Sequence, residues 1–374
     1  MYNQRTFTDR ITFFQKVRSL DYWLLLCIIL LGFLSTLAMY SSEGGNLLHY
    51  SKNHLSRFSL FFFMMLFLSF VRIKFWHLTG YFFYFLVVLL LFYASLYGVT
   101  ASGSQRWINF YIVNLQPSEL MKIAIIVCFA KFYHRVQVNN VNNFKNLMVP
   151  IIILLIPILL VLSQPDLGTS ILIALSGLIV IWLAGVNIKY FIYSFLVLII
   201  SAPFIISFLK PYQKLRILTF FDPSKDPLGA GYQIIQSKIA VGSGGFSGKG
   251  FLRGTQNYLE FLPEKHTDFI FTLFSEEYGF LGSIGLLLIY AIMIYRIILV
   301  GSMARSFFSK LFCYSFGSAI FTYVVINMSM VLGLVPTVGS PLPIMSYGGS
   351  SMLATMIGIS IVMSSKIYYR QLIA

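Results

Sequence analysis

Charged residues are scarce in this chain of 374 residues, because Asp, Glu, Lys and Arg together make up only 10% of it. Soluble domains carry about 25% charged residues, and here 58% of the residues are hydrophobic. The shortage excludes an ordinary soluble protein and favours a protein embedded in lipid. Acidic residues are scarcest, since 12 Asp and Glu stand against 27 Lys and Arg.

Cysteine is also rare. The three cysteines, Cys27, Cys128 and Cys313, each lie inside an apolar block, where a thiol packs as a small apolar side chain. The sequence therefore predicts no disulfide framework.

The apolar residues are gathered into ten blocks. The first, 22–40, runs without a charge for long enough to cross the roughly 30 Å hydrocarbon core of a bilayer. Backbone amides in lipid must bond within their own segment, so each block is expected to be a helix. The other nine blocks lie at 57–71, 78–98, 117–133, 147–163, 168–186, 189–209, 269–295, 309–333 and 347–365. The sequence predicts an all-α integral membrane protein with about ten transmembrane helices.

The basic residues are placed asymmetrically. With the N-terminus inside, the loops on that side hold fifteen Lys and Arg against two acids, which predicts that both termini are cytoplasmic. The net charge of +15 then reflects orientation in the membrane and not nucleic acid binding. The predicted organisation is a cytoplasmic segment 1–21, helices 1–7 in 22–209, a long loop 210–267 on the opposite side, helices 8–10 in 268–366, and a cytoplasmic tail 367–374.

The loop between helices 7 and 8 is predicted to be structured and to carry the active region. Gly231–Val241 is expected to form a short interfacial helix. The Gly-rich stretch 242–250 departs from a nucleotide P-loop, because Ser243 and Gly250 stand where Gly and Ser or Thr are needed. A plain turn, or a turn whose amides and Lys249 approach a phosphate, both fit the pattern.

Glu119 and Lys122 are charges at the start of the fourth apolar block. At positions i and i+3 they share one helical face and can pair. A buried charge in a membrane usually faces a cavity, so two interpretations stay open. The residues form a structural ion pair, or they line a groove for a lipid-linked substrate.

Several segments together resemble the SEDS family (shape, elongation, division and sporulation). The similarity covers about residues 20 to 368, and the loop motifs 222–232 and 333–343 are more like the elongation branch, RodA, than the division branch, FtsW. The motifs that carry it are Gln116-Pro-Ser-Glu-Leu-Met-Lys122, Gln164-Pro-Asp-Leu-Gly-Thr169, Gly254-Thr-Gln, Glu260-Phe-Leu-Pro-Glu-Lys-His-Thr-Asp-Phe-Ile-Phe271 and Pro343-Ile-Met-Ser-Tyr-Gly-Gly-Ser-Ser351.

The resemblance implies a peptidoglycan glycosyltransferase of the bacterial inner membrane. Such an enzyme polymerises lipid II on the periplasmic side, so the loop 210–267 would be periplasmic. It works with a class B penicillin-binding protein and with other membrane proteins of the elongation complex. The expected reaction inverts the anomeric centre, and undecaprenyl pyrophosphate is the leaving group.

Asp268 matches the Asp of the family's His-Thr-Asp motif and is the expected general base. A positioned carboxylate can take the proton from the attacking sugar hydroxyl. The spacing alone fits a helix cap at least as well, since Thr-Asp precedes an apolar helical run.

The resemblance also implies substrate contacts. Trp107 would stack on a sugar, and Arg106 and the loop cations would contact the pyrophosphate. No cofactor is certain, although Glu260 could hold a divalent cation, Mg or Mn, together with Asp268. The full set of predicted substrate-binding residues is Arg106, Trp107, Glu119, Lys122, Arg216, Lys249, Glu260 and His266.

Two other function classes fit part of the pattern. A transporter that flips a lipid-linked saccharide would use the membrane helices and the Glu119–Lys122 pair. However, the two halves show no self-similarity of the kind common in transporters. A passive scaffold for cell elongation leaves the loop carboxylates without a purpose.

Overall fold

The computed structural model describes residues 12–101, 104–109, 114–208, 211–222, 229–254 and 266–373. Helices dominate these ranges and are joined mostly by short turns. They are α1 Phe13–Arg18, α2 Tyr22–Ser42, α3 His49–Ser69, α4 Ile73–Tyr97, α5 Pro117–His134, α6 Phe144–Ser163, α7 Leu167–Leu183, α8 Ile188–Phe208, α9 Pro211–Phe221, α10 Ala230–Ser243, α11 Ile270–Met303, α12 Phe307–Val331 and α13 Gly349–Ile367.

Each of the ten predicted blocks coincides with a helix. The helices α2, α4, α6, α11, α12 and α13 are long and apolar enough to cross a membrane by length and composition. Two more helices, α7 and α8, are apolar over a shorter stretch, Leu167–Leu183 and Ile188–Phe204. The prediction of an all-α protein built from membrane-spanning helices is confirmed at this level, and the number of ten crossings stays a prediction.

Helix α5 is the centre of the bundle. Pro117 stands at its first position, where the missing N–H costs nothing. The helix packs against α4, α7, α12 and α13, so nearly all its side chains from Pro117 to Lys131 are buried. This central position forces Glu119 and Lys122 into the protein interior.

A small three-stranded antiparallel sheet lies between α4 and α5, and the sequence analysis did not predict it. Its strands are β1 Val99–Ala101, β2 Ser104–Asn109 and β3 Asn114–Leu115, with Val99 opposite Trp107 and Ile108 opposite Leu115. Strands of two to six residues are too short for an alternating pattern to stand out between two long apolar helices.

One end of the bundle is held by a buried carboxylate. Asp21 caps α2 and accepts hydrogen bonds from Arg296 of α11 and Lys366 of α13, at 2.6 and 2.9 Å. Burial alone would raise the pKa of Asp21, but these bonds and the Leu24 N–H outweigh it and lower the pKa from its ordinary value of 3.8. The start of α2 and the ends of α11 and α13 therefore share one end of the molecule.

The connection between α8 and α11 is structured where it is described. The predicted helix at Gly231–Val241 is confirmed as α10, which packs on α11 and α12. Ser237 fixes this contact through bonds to the Thr272 hydroxyl, at 3.0 Å, and to the Val331 carbonyl, at 2.7 Å.

The Gly-rich stretch is a tight turn folded against α11. A Cβ atom at Gly248 would overlap the backbone of Glu277, and the N–H groups of Lys249 and Gly250 bond the carbonyls of Glu276 and Glu277, each at 3.0 Å. The stretch therefore turns against α11, and a phosphate contact by Lys249 stays a prediction.

Residues 332–348, between α12 and α13, form an irregular connection that we call the 332–348 segment. It packs against the start of α7, where a Cβ atom at Gly168 would overlap the Val338 carbonyl. The segment lies at the end of the bundle opposite Asp21, because it leads into the first residue of α13, whose last turn holds Lys366.

Candidate functional site

Asp268 lies in the turn 266–269, which leads into α11 at the end of the bundle opposite Asp21. Its side chain is half-buried. The N-cap residue of α11 is Phe269, one position later, so Asp268 stands just outside the cap position that its spacing suggested. Its half-buried carboxylate lies at this end of the molecule, just before the start of α11.

The 332–348 segment brings Arg216 to the same place. Arg216 of α9 donates a hydrogen bond to the Thr337 carbonyl at 3.3 Å. Two residues further on, a Cβ atom at Gly339 would lie 3.6 Å from the Asp268 carboxylate oxygen. Residues two apart have Cα atoms within roughly 7 Å of each other, so an exposed guanidinium and the candidate base flank one short stretch of backbone.

His266 anchors the turn from the other side. Its ring stacks on Tyr50 of α3 with centroids 3.9 Å apart, and its Nδ1 lies 3.1 Å from the Ser42 hydroxyl. Its carbonyl accepts a hydrogen bond from the Tyr347 N–H at 2.8 Å. The predicted substrate residue His266 is therefore buried among protein groups two positions from Asp268.

Arg106 of β2 forms an ion pair with Asp166, the residue that caps α7, at 2.6 Å. Asp166 is 6% exposed and also accepts the Thr169 N–H at 3.2 Å. Asp166 therefore caps α7 and pairs with Arg106 at the same time, and the sequence did not predict this pairing. Trp107 is half-buried and, as the next strand residue, points to the opposite face of the sheet from Arg106.

Lys249 pairs with Glu276 in the first turns of α11, at 2.7 Å, and Glu276 is completely buried. The neighbouring Glu277 accepts a short hydrogen bond from the Ser41 hydroxyl. Lys249 therefore ties the Gly-rich turn to α11, and its predicted phosphate contact would have to compete with this carboxylate.

Glu119 and Lys122 form the expected ion pair at 2.8 Å, with both side chains at most 5% exposed. The Lys122 ammonium also lies over the Tyr323 ring, 4.7 Å from its centre. The pair lines a small cavity of about 10 Å³, and Pro341 of the 332–348 segment also lies in its lining. That volume is about the size of one water molecule, so in this structure the cavity admits no saccharide or polyprenyl chain.

Glu260 lies outside the described residues, so the proposed pair of Glu260 and Asp268 as metal ligands has no described geometry. Among the residues that the structure does describe, His, Cys, Asp and Glu form no group of three or more that could hold a metal ion. The divalent cation therefore stays a prediction from the resemblance.

The residues that sequence reasoning missed are those that hold Asp268 in place. Tyr50, Ser42 and Tyr347 contact His266, and the Asn327 amide bonds the Asp268 carbonyl at 2.9 Å. Asn327 is 59 residues from Asp268 along the chain, and no local pattern marks such a contact. Tyr347 does belong to the Ser-Tyr-Gly-Gly motif, but the motif alone did not predict its role.

The chain is similar to named proteins over nearly its whole length. It is 38% identical to peptidoglycan glycosyltransferase MrdB of Escherichia coli strain K12, over 97% of this chain and 95% of that one. It is 34% identical to a probable peptidoglycan glycosyltransferase FtsW of Buchnera aphidicola subsp. Baizongia pistaciae, over 91% and 90% of the two chains.

Solved structures share the fold. A chain of a peptidoglycan synthase complex, described as coordinating polymerization and crosslinking, superposes with a TM-score of 0.81 at 27% identity, covering 94% of this chain and 99% of that one. The rod shape determining protein RodA of Thermus thermophilus superposes with a TM-score of 0.68 at 22% identity, covering 94% and 98%.

The family profile described as cell cycle protein, FtsW/RodA/SpoVE, matches residues 18–371 of the chain. This match agrees with the motifs between Gln116 and Ser351 and with the position of Asp268 at the head of α11. The chain therefore belongs to the FtsW/RodA/SpoVE family of cell cycle proteins.

Proposed function

We propose that this chain is a peptidoglycan glycosyltransferase that polymerises lipid II into glycan strands during cell elongation. The enzyme class is that of its named relatives in Escherichia coli and Buchnera. The observation that supports the site is the half-buried carboxylate of Asp268, which lies beside Gly339 in a turn open to one end of the bundle.

Asp268 acts as the general base in this proposal. It takes the proton from the 4-hydroxyl of the GlcNAc on one substrate, while that oxygen attacks the anomeric carbon of MurNAc on the other. The new glycosidic C–O bond forms as the bond to undecaprenyl pyrophosphate breaks, and the anomeric centre inverts. The departing pyrophosphate carries away the electron pair as an anion, so one base suffices and no acid is needed for the leaving group.

Arg216 is the cation best placed to stabilise the departing pyrophosphate. Its side chain is exposed and its guanidinium reaches the 332–348 segment within two residues of the contact with Asp268. A fixed positive charge near developing negative charge lowers the barrier to reaction. The substrate roles of Trp107, Lys249 and Glu260 stay predictions. The substrate role of Arg106 also stays a prediction, because its guanidinium forms an ion pair with Asp166.

The proposal places all ten predicted crossings in the bacterial inner membrane, with both termini cytoplasmic and Asp268 periplasmic. The basic residues of the predicted inner loops support this orientation. The Asp21 cluster and the turn 266–269 lie at opposite ends of α11, so the two would face opposite compartments. Membrane lipids would surround the exposed apolar side chains of α4, α6 and α8.

A class B penicillin-binding protein is the proposed partner, together with other membrane proteins of the elongation complex. The support is the likeness to a chain of a peptidoglycan synthase complex in which polymerization and crosslinking are coordinated. A transpeptidase partner supplies the crosslinking that a glycosyltransferase alone lacks.

A polymerisation assay in detergent tests the function. Labelled lipid II is mixed with the purified full chain, together with its class B partner, where no bilayer exists and flipping has no meaning. Glycan strands that lengthen with time support the proposal. A chain that makes no strands in detergent yet moves lipid II across vesicle membranes is a flippase, and that result contradicts the proposal.

A further inference from the structure

Asn327 joins two parts of the chain that are far apart in sequence. It lies in the last turns of α12, just before the helix ends at Val331, and is fully buried. Its Nδ2 donates to the Asp268 carbonyl at 2.9 Å and to the Ser340 carbonyl at 2.6 Å. One side chain therefore bridges the turn 266–269 and the 332–348 segment.

The bridge requires an amide. Buried carbonyls outside regular helices need a donor from elsewhere, and the amide NH₂ offers two hydrogens from a single atom. Serine offers one hydrogen, an ionised Asp offers none, and Leu has the same branched arrangement of heavy atoms without any donor. Asn327 is thus matched to two acceptors at once.

The two bridged carbonyls belong to the environment of the candidate base. One is the carbonyl of Asp268 itself, and the other follows Gly339, whose backbone lies against the Asp268 carboxylate. Another tie between these parts of the chain is the bond from the Tyr347 N–H to the His266 carbonyl. The Asn327 bridge acts on Asp268 itself, through its carbonyl.

We propose that Asn327 is a positioning residue for Asp268. Its amide fixes the backbone of Asp268 against the 332–348 segment, so that the carboxylate meets the hydroxyl of the bound acceptor sugar at the right distance. The inference rests on the proposed role of Asp268 as general base. A base displaced by about 1 Å can lose about a hundredfold in rate without any loss of substrate binding.

The test compares variants of the full chain in complex with its class B partner, with labelled lipid II as substrate. Asn327→Leu removes both donors and keeps the number and branching of the side-chain heavy atoms. Thr322→Val is the matched control, because the Thr322 hydroxyl lies on the same helix and bonds only the Ser318 carbonyl within it. We measure kcat, KM and the melting temperature for each variant.

Asn327→Leu should lower kcat by about tenfold or more while KM changes by less than about twofold. Its melting temperature should fall below that of Thr322→Val, because two buried carbonyls lose their donor, so kcat is measured well below both melting temperatures. Thr322→Val should keep the wild-type kcat. If Asn327→Leu fails to fold, Asn327→Ser is measured instead, because it keeps one donor and should show a smaller fall in kcat. An unchanged kcat in the folded variant, or a rise in KM that accounts for the loss, overturns the proposal.

Asp268→Asn, measured in parallel, separates the two possible failures. A fully active Asp268→Asn overturns the assignment of the base and with it the reason for a positioning residue. An inactive Asp268→Asn together with a fully active Asn327→Leu leaves the base in place and overturns only the role of Asn327.

Discussion

At the scale of single residues, the main question concerns Arg106, which has two competing uses. The resemblance to the family implies a contact with pyrophosphate, whereas the structure gives its guanidinium to Asp166 at 2.6 Å. Arg106 keeps 27% of its side chain exposed and Asp166 only 6%. The buried carboxylate of Asp166 therefore needs the counter-charge more than Arg106 does. The structure favours a stabilising role for Arg106.

Removing Arg106 should destabilise the protein. Arg106→Ala leaves the Asp166 carboxylate buried without its counter-charge, at an expected cost of about 2 kcal/mol, reduced by the partial exposure of the arginine. Adding Asp166→Asn should recover part of this loss, because the orphaned charge is gone. Thermal melting of the single and double variants measures the effect. A normal melting temperature with a raised KM for lipid II would support the substrate contact instead.

Residue identities that a motif carries could be predicted, and those that a distant contact creates could not. The His-Thr-Asp motif and the i, i+3 spacing pointed to Asp268 and to the Glu119–Lys122 pair, which the structure shows as a buried ion pair. Neither Asn327 nor Tyr50 lies in a motif or spacing pattern that marks it in the sequence. Their importance comes from contacts with Asp268 and His266 that only the folded chain makes.

At the scale of elements, the first turn of α3 shows how a loop carboxylate supports the site. Glu43 accepts hydrogen bonds from the Tyr50 N–H at 2.6 Å and from the Ser51 N–H at 3.0 Å. These bonds satisfy backbone donors that a helix start leaves without partners. The turn they fix carries Tyr50, whose ring stacks on His266.

This cap predicts a loss of stability in acid. Burial alone would raise the pKa of Glu43, but bonds from the Ser51 hydroxyl and from the N–H groups of Ser51, Tyr50 and Leu48 lower that pKa below 4.5. A carboxyl with a lowered pKa stabilises the fold above its unfolded value, and the effect disappears as the pH falls through the lowered pKa. Melting temperatures should therefore drop below about pH 4.5 in the wild type.

Glu43→Gln is the matched variant for that measurement. It should melt lower than the wild type at pH 7 and show a smaller further drop in acid, because its side chain does not titrate. Equal melting temperatures for the two proteins from pH 7 down to about pH 3 would show that Glu43 contributes nothing.

Long apolar elements were predictable, and short irregular ones were not. All ten apolar blocks fold as helices because each must satisfy its own backbone bonds. The sheet β1–β3 and the path of the 332–348 segment depend instead on packing against α5, α7 and α13. Proline and glycine are frequent in 332–348, which is typical of an interrupted backbone, but only the contacts with Gly168 and Asp268 show which elements the segment joins.

At the scale of the whole molecule, the two ends of the bundle have different chemistry. One end carries the Asp21 cluster with Arg296 and Lys366, and the other carries the sheet, the Gly-rich turn and the turn 266–269 that holds Asp268. The proposed function needs the second end to face the periplasm, because the reaction is expected on that side.

Single-cysteine labelling tests this orientation. The native cysteines are all buried, so the wild-type chain is its own unlabelled control. Ser247, in the Gly-rich turn, and Gln137, between α5 and α6, are both exposed and lie at different ends of the bundle. Ser247→Cys and Gln137→Cys therefore report on one end each. With a membrane-impermeant maleimide on intact spheroplasts, Ser247→Cys should react and Gln137→Cys should react only after permeabilisation. The reverse pattern would place Asp268 in the cytoplasm.

The central claim is that the Asp268 carboxylate is the base of a glycosyl transfer. Asp268→Asn keeps the shape of the side chain and removes its ability to take a proton, so the most direct measurement is its rate of strand formation from labelled lipid II, beside the wild type. We expect kcat to fall by about a hundredfold or more, with lipid II binding and melting temperature unchanged. Strand formation at the wild-type rate would contradict it.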